Sequence, residues 1–448
     1  MQWIRKACRR GLVLGLLWWM VGFGHVLGAE CAGQTADDES LVAKARQIHT
    51  MALTLDTHVD IAGPHYATPQ LDPGIDHPQL KCDLVKMVAG GVDGVFLAAY
   101  VGQQARDADG YRRAHQAVME LISAIRRLPA MYPARCALAT TPDEVERIAA
   151  TGKRAIMIGI ENGYALGTDL ANVGRFRDLG VRYITLCHNG HNQICDSCNP
   201  AAKLGDGEAE HHGLSPFGRQ VVAEMNRLGI MIDLSHAAES TFRDVVAVSK
   251  APIIASHSGC SALNSHPRNL TDEQLKLLRA NGGVIQIVAV GGFLKTPSPE
   301  RKKAIADLAK SIGVSERNFA AATKQQQERF QQEMAKLDRR HPPASLQDFV
   351  DHIDHAVAVA GIDHVGVGSD FDGGGGVPGF QNHADALNVT IELLRRGYTA
   401  EQIQKIWGGN LLRVWRKVQA AEDHSASVSI NRAIASRVWS NPSGSRLK

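Results

Sequence analysis

Eight short apolar runs, each followed by a stretch of helical period, set the strongest constraint on how this sequence can fold. They lie at residues 53–55, 94–100, 154–160, 183–187, 230–234, 252–255, 283–290 and 364–368. Most are continuous in Val, Ile and Leu rather than alternating, which suits strands covered on both faces, as in parallel sheets. Residues 141–150, 216–228 and 271–279 read as amphipathic helices, the last opened by the cap signal Thr271-Asp272-Glu273. Strand and helix repeated eight times predict an α/β fold of the TIM-type (β/α)8 barrel class. A doubly wound open sheet is the alternative, but it usually carries a G-x-G-x-x-G turn after its first strand, and none follows residue 55.

With 448 residues, 44% of them hydrophobic and 21% charged, the chain has ample material for a large core, which excludes a disordered protein or a disulfide miniprotein. The balance of 49 Lys and Arg against 46 Asp and Glu gives no basic domain, so a nucleic-acid partner is not expected. Residues 1–29 carry Arg5, Lys6, Arg9 and Arg10, then an apolar run over 11–24, then Gly28 and Ala29, the order of a secretory signal peptide. The clean apolar stretch is shorter than the roughly 18 to 20 residues of a spanning helix, which favours cleavage over an uncleaved anchor. Loss of these residues removes four basic and no acidic side chains and takes the formal charge from +3 to −1.

The expected destination is therefore periplasmic or secreted, with no stable membrane insertion. Glu30 argues against a lipid anchor at Cys31, and the end of the sequence shows no apolar tail for an anchor there. Seven of the eight cysteines lie beyond the signal, too few and too odd for a disulfide framework, and Cys195-Asp-Ser-Cys198 reads as a local disulfide in an exported chain. The layout is then a signal over 1–29, a barrel over 30–420 and a poorly ordered tail over 421–448. Residues 295–343, rich in Lys, Arg, Glu, Gln and Ala with a helix-forming run over 318–340, read as a helical insertion over the barrel mouth between the seventh and eighth strands.

Chemistry collects where the expected strands end. The first runs into Asp56-Thr57-His58-Val59-Asp60, in which His58 and Asp60, two apart, share a side in extended backbone, while Asp56 is expected to brace the turn. The third ends at Glu161, the fourth at His188, the fifth at His236, the sixth at His257 and the eighth at Asp370. In a barrel these ends meet on one face, where barrel enzymes keep their active sites. His58 and Asp60 on one ion, His236 and His257 on a second and Glu161 bridging make a binuclear site, and imidazole nitrogen with carboxylate oxygen suits two Zn²⁺. Such a pair can share a hydroxide and polarise a carbonyl, which points to hydrolysis.

The motifs Asp56-Thr57-His58-Val59-Asp60, Gly159-Ile160-Glu161-Asn162-Gly163 and Tyr183-Ile184-Thr185-Leu186-Cys187-His188-Asn189 resemble the membrane (renal) dipeptidase family of zinc peptidases, M19. So do Gly213-Leu214-Ser215-Pro216-Phe217-Gly218, Ile232-Asp233-Leu234-Ser235-His236, Ser256-His257-Ser258, Arg268-Asn269, Gly368-Ser369-Asp370-Phe371-Asp372-Gly373 and Gly409-Asn410-Leu411-Leu412-Arg413-Val414. The resemblance implies a dipeptidase with latitude for a C-terminal D residue and, in some relatives, for β-lactam rings. It implies that His58, Asp60 and Glu161 hold one zinc, and Glu161, His236 and His257 the other. It further implies that His188 and Arg268 contact the dipeptide and that Asp370 handles the proton; relatives are often dimers, so a homodimer is expected. Arg268 can take a substrate carboxylate in a charge-assisted pair, and His188 can donate to the oxyanion. The sequence departs from the family at Thr57 and Val59, where Gly and Asn are common, and at His266-Pro267 ahead of Arg268. An amidohydrolase of lactones, cyclic amides or phosphoesters, or a catalytically silent metal-binding barrel, are the other readings.

Overall fold

Parallel strands that are apolar on both faces must be covered by helices on one side and by one another's side chains on the other, and closure into a barrel meets both demands. The computed structural model describes residues 39–314 and 322–422. The chain divides into a unit of residues 1–44, of which the described part, 39–44, is helical, and a unit of residues 45–448 that holds everything discussed below. The expected signal over 1–29 and residues 423–448 of the expected tail lie outside the described residues. Among the described residues, no helix is long and apolar enough to cross a membrane.

The strands are β1 (Leu55–Asp60), β2 (Gly94–Tyr100), β3 (Cys136–Leu138), β4 (Arg154–Glu161), β5 (Val181–Thr185), β6 (Met231–Asp233), β7 (Ile254–Ser258), β8 (Val284–Ile287) and β9 (Val365–Val367). Their order is β1-β2-β4-β5-β6-β7-β8-β9 and every pairing is parallel. Backbone bonds from Asp370 N–H to His58 O (2.9 Å) and from Asp60 N–H to Phe371 O (3.0 Å) join the end of β9 to β1 and bring the eight-stranded ring to closure. All eight expected strands are present, and the fold is the (β/α)8 barrel.

Two details differ from expectation. β3 is a ninth strand that pairs with the first residues of β4, below the segment of β4 that pairs with β5. Three residues are too short to give a periodic signal. The polar Asp56–Asp60 motif is β1 itself, not a turn after it, because Val59 is buried and paired with Leu97 while the Thr57 hydroxyl donates inward to the carbonyls of Ser256 and Val367. Asp56 does more than brace a turn. Its Oδ1 accepts from His58 N–H and Ser369 N–H, and its Oδ2 pairs with His383 Nε2 at 2.8 Å, so one buried carboxylate ties both sides of the barrel seam.

Helices fall where the period placed them, at Pro142–Ala150, Pro216–Arg227 and Asp272–Asn281. The Thr271 cap is a full capping box, with Thr271 Oγ1 accepting from Gln274 N–H while the Gln274 side chain accepts from Thr271 N–H. Among the described residues, the insertion between β8 and β9 contains the helices Pro299–Ile312 and Lys324–Arg340, the second within the helix-forming run expected over 318–340. Arg301, on the first, bonds the carbonyl of His341 and pairs with Asp338 of the second.

Candidate active site

Barrel geometry brings the expected site residues to one end. His58 and Asp60 lie in β1, Glu161 is the last residue of β4, and His257 lies in β7. His188, His236 and Asp370 each follow the last residue of β5, β6 or β9 by three positions. His236 and Asp370 have φ of 68° and 59°, left-handed backbone that non-glycine residues rarely adopt and that recurs at sites where a side chain must be aimed.

Glu161 sits at the centre. Its Oε2 is 3.6 Å from His58 Nε2, and its Oε1 is 3.0 Å from His236 Nε2, 3.4 Å from His257 Nε2 and 3.8 Å from His188 Nε2. One oxygen therefore faces the β1 side and the other the histidines of the opposite side. Three overlapping groups have ligand atoms within 4.8 Å of one another: His58, Glu161 and His257; Glu161, His188 and His236; His58, Asp60 and Asp370. All five expected metal ligands are thus brought together, with His188 and Asp370 beside them. Exposure separates the histidines, since the side chains of His58, His236 and His257 are 0%, 6% and 2% exposed and that of His188 is 17% exposed.

Neighbouring groups aim the ligands. His58 Nδ1 is hydrogen-bonded to the Tyr183 hydroxyl at 2.8 Å, which leaves Nε2 facing Glu161. Space for that tyrosine comes from Gly159, where an added Cβ would lie 2.1 Å from the ring. The Ser256 hydroxyl accepts from His257 Nδ1 (2.8 Å) and donates to Asp233 Oδ2 (2.6 Å), so a carboxylate–serine relay fixes the tautomer of that imidazole. Gly373 is needed for close approach, because a Cβ there would lie 1.9 Å from Asp60 Oδ2 and 2.3 Å from Asp370 Oδ1.

The electrostatics ask for positive charge. Burial opposes a cation at His58, yet Glu161, Asp60 and Asp370 push its pKa up to about 10. Burial, reinforced by Glu161, raises Asp60 well above the carboxylate range and Asp370 to about 7. Burial holds His236 and His257 well below the usual imidazole value, with Arg268 adding to the effect on both, which keeps them as neutral lone-pair donors. Buried His58 Nε2 and Asp60 Oδ1 have no hydrogen-bond partner, as expected of atoms shaped for an ion. The donor set of three imidazoles and two carboxylates fits divalent metal with zinc-type chemistry.

Above this cluster lies a cavity of about 420 Å³ whose walls include Tyr100, His188, Asn199, Arg268, Phe293 and Asp370. Arg268 is 3% exposed; Nη2 donates to the His257 carbonyl (3.0 Å), while Nε and Nη1 are unpartnered, a buried cation with donors to spare for an anion. Tyr100, Asn199 and Phe293 were not singled out from sequence, and neither were the supporting roles of Tyr183, Ser256 and Asp233. Asp233 alone had a signal, as an acid within an apolar strand.

The cysteine expectation is corrected. Cys195 and Cys198 are free thiols, and no disulfide occurs among the described residues. The segment is extended, with Cys195 bridging to Leu214 and Ser197 to Ala237, so side chains three apart point to opposite faces. Cys195 is buried against Cys187, and Cys198 lines a different cavity.

Comparison with known proteins gives the family. The model of the membrane dipeptidase family, peptidase family M19, matches residues 42–429. Dipeptidase tcpJ of Claviceps purpurea is 34% identical over 350 residues, 77% of this chain and 70% of its own, and dipeptidase verJ of Clonostachys rogersoniana is 33% identical over 75% of this chain and 76% of its own. The crystal structure of the probable dipeptidase PvdM from Pseudomonas aeruginosa superposes with a TM-score of 0.75 at 30% identity, covering 86% of this chain and 99% of that one. A barrel whose buried imidazoles and carboxylates meet at one mouth, matched by a single family model across most of its length, belongs to the membrane dipeptidase family, the metal-dependent dipeptidases of family M19.

Proposed function

We propose that the chain is an exported, zinc-dependent dipeptidase that hydrolyses free dipeptides, including those with a C-terminal D residue. The observation that carries this reading is Glu161, whose two oxygens face separate sets of buried imidazoles. His58, Asp60 and Glu161 would hold one Zn²⁺, and Glu161, His236 and His257 the other. Two such ions supply Lewis acidity and lower the pKa of water toward neutrality. Arg268 receives the substrate's α-carboxylate through its unpartnered Nε and Nη1, which fixes the register of a two-residue substrate. His188, the more exposed imidazole at the cavity wall, donates from Nε2 to the carbonyl oxygen as it gains charge. Its Nδ1 lies 3.4 Å from the Tyr100 hydroxyl, which orients the ring. Asp370, whose burial lifts it to about 7, can take a proton at neutral pH and pass it to the leaving amine. Export rests on residues 1–29, and a homodimer on family habit.

The test is hydrolysis of matched L,L and L,D dipeptides, their C-terminal amides and tripeptides by the zinc-loaded chain. Cleavage of free dipeptides of both configurations, with amides and tripeptides at least about 100-fold slower, is expected from loss of a buried charge pair. Equal turnover of the amides would remove Arg268 from its role, and failure on L,D substrates would remove the stereochemical latitude.

A further inference from the structure

Arg268 stands in the wall between two cavities. It lines the active-site cavity, and it also lines a second one of about 250 Å³ whose walls include Cys198, Ser265, Thr271 and Gln274. Its side chain has one hydrogen bond, from Nη2 to the His257 carbonyl, so that bond alone does not decide which cavity the free N–H groups serve.

The remaining restraint is an aromatic ring. Arg268 lies over Phe293 with Cζ 5.4 Å from the ring centroid, within cation–π range, and Phe293 lines the active-site cavity but not the second one. His266 completes the arrangement, with its ring centroid 4.5 Å from that of Phe293 and its Nδ1 accepting from Arg268 N–H at 3.2 Å. The ring is itself tied to the arginine's loop. Asn264 Nδ2 donates to the carbonyls of Gly292 (2.9 Å) and Phe293 (3.0 Å), and Asn269 Nδ2 donates to the Phe293 carbonyl (2.7 Å). These bonds tie the loop after β7 to the segment after β8.

We infer that Phe293, held by His266 and by the Asn264 and Asn269 amides, is a positioning residue that keeps the Arg268 guanidinium turned into the active-site cavity and so sets affinity for the substrate's carboxylate. This rests on the proposed role of Arg268.

The experiment compares the zinc-loaded full chain with Phe293→Leu and Phe293→Tyr on free dipeptides and their C-terminal amides, with metal content and thermal melting checked for each. Leucine keeps the bulk and loses the ring's charge distribution, so KM for free dipeptides should rise roughly 3- to 30-fold with kcat within about twofold, while tyrosine should match the native chain. KM on the amides should not move. Unchanged KM for free dipeptides in Phe293→Leu, or a fall in kcat at constant KM, overturns the inference while leaving the Arg268 reading intact. Equal cleavage of free and amidated substrate by the native chain overturns both. Should Phe293→Leu fail to fold, His266→Ala, which removes the ring packed against Phe293, must show the same selective rise in KM or the inference falls.

Discussion

Tyr183 supports the candidate metal site without offering it a ligand atom. Its hydroxyl holds His58 Nδ1, its ring fills the space left by Gly159, and both residues are buried in the barrel interior. Removal of the hydroxyl in Tyr183→Phe leaves the ring in place but releases the tautomer of His58. Zinc affinity should fall roughly 10- to 100-fold, read by competition with a chromogenic chelator. An unchanged affinity would mean that packing alone orients His58. Glu161→Gln is a harsher change, because a neutral amide can offer only one good acceptor among imidazoles that face both oxygens. It should abolish hydrolysis and reduce bound metal measured by atomic absorption, and full metal content in that variant would contradict the bridging role.

Elements carry their own predictions. The turn after β9 approaches β1 through Gly373, so Gly373→Ala forces Cβ against Asp60 and Asp370. Circular dichroism should find the fold intact while zinc titration finds one site weakened. Normal binding at both sites would show that the turn can shift aside. The barrel seam depends on Asp56, which serves two backbone N–H groups and His383 in full burial. Asp56→Ala orphans all three donors and should cost about 3 to 5 kcal/mol in urea denaturation, the penalty of breaking a buried pair by removing one partner. A loss below about 1 kcal/mol would mean the ring closes without it.

At the scale of the whole molecule, histidines buried in the neutral form contribute stability that falls as pH drops through the ordinary imidazole range. His352 accepts from Cys260 N–H at Nδ1 and donates to the Leu294 carbonyl from Nε2, which fits only the neutral ring, and burial lowers its pKa from the ordinary value of 6.5. His49, bonded to Thr390 and Gly90, is lowered by burial in the same way. Above 6.5 both states are neutral and nothing is gained or lost. Below 6.5 the unfolded chain takes up protons that the folded chain refuses, so unfolding becomes easier until pH reaches the lowered folded value. Each such histidine contributes a slope of up to about 1.4 kcal/mol per pH unit. Unfolding free energy measured from pH 7.5 to 5.5 should show a shallower slope in His352→Gln, and an identical slope would remove His352 from the account.

What the sequence made legible follows from the range of the forces involved. Strand runs, helix caps and the chemistry at strand ends are local patterns, and they place Glu161, His236 and His257 at strand ends from sequence. Asp56 was legible as an acid but not as a seam, because its partners Ser369 and His383 lie more than 300 positions away. Phe293 carried no signal, since a lone aromatic after a pair of glycines looks like any other. The Cys195–Cys198 spacing misled because two thiols three apart meet only if the backbone turns, and here it is extended.

The central claim is that Glu161, between His58 and Asp60 on one side and His236 and His257 on the other, would serve two zinc ions. It is tested most directly by titrating metal-free protein with zinc while following bound metal and dipeptide hydrolysis together. Activity should appear only as occupancy rises from one to two ions per chain and should be missing at every ratio in Glu161→Gln. Full activity at one ion per chain would contradict the bridged pair.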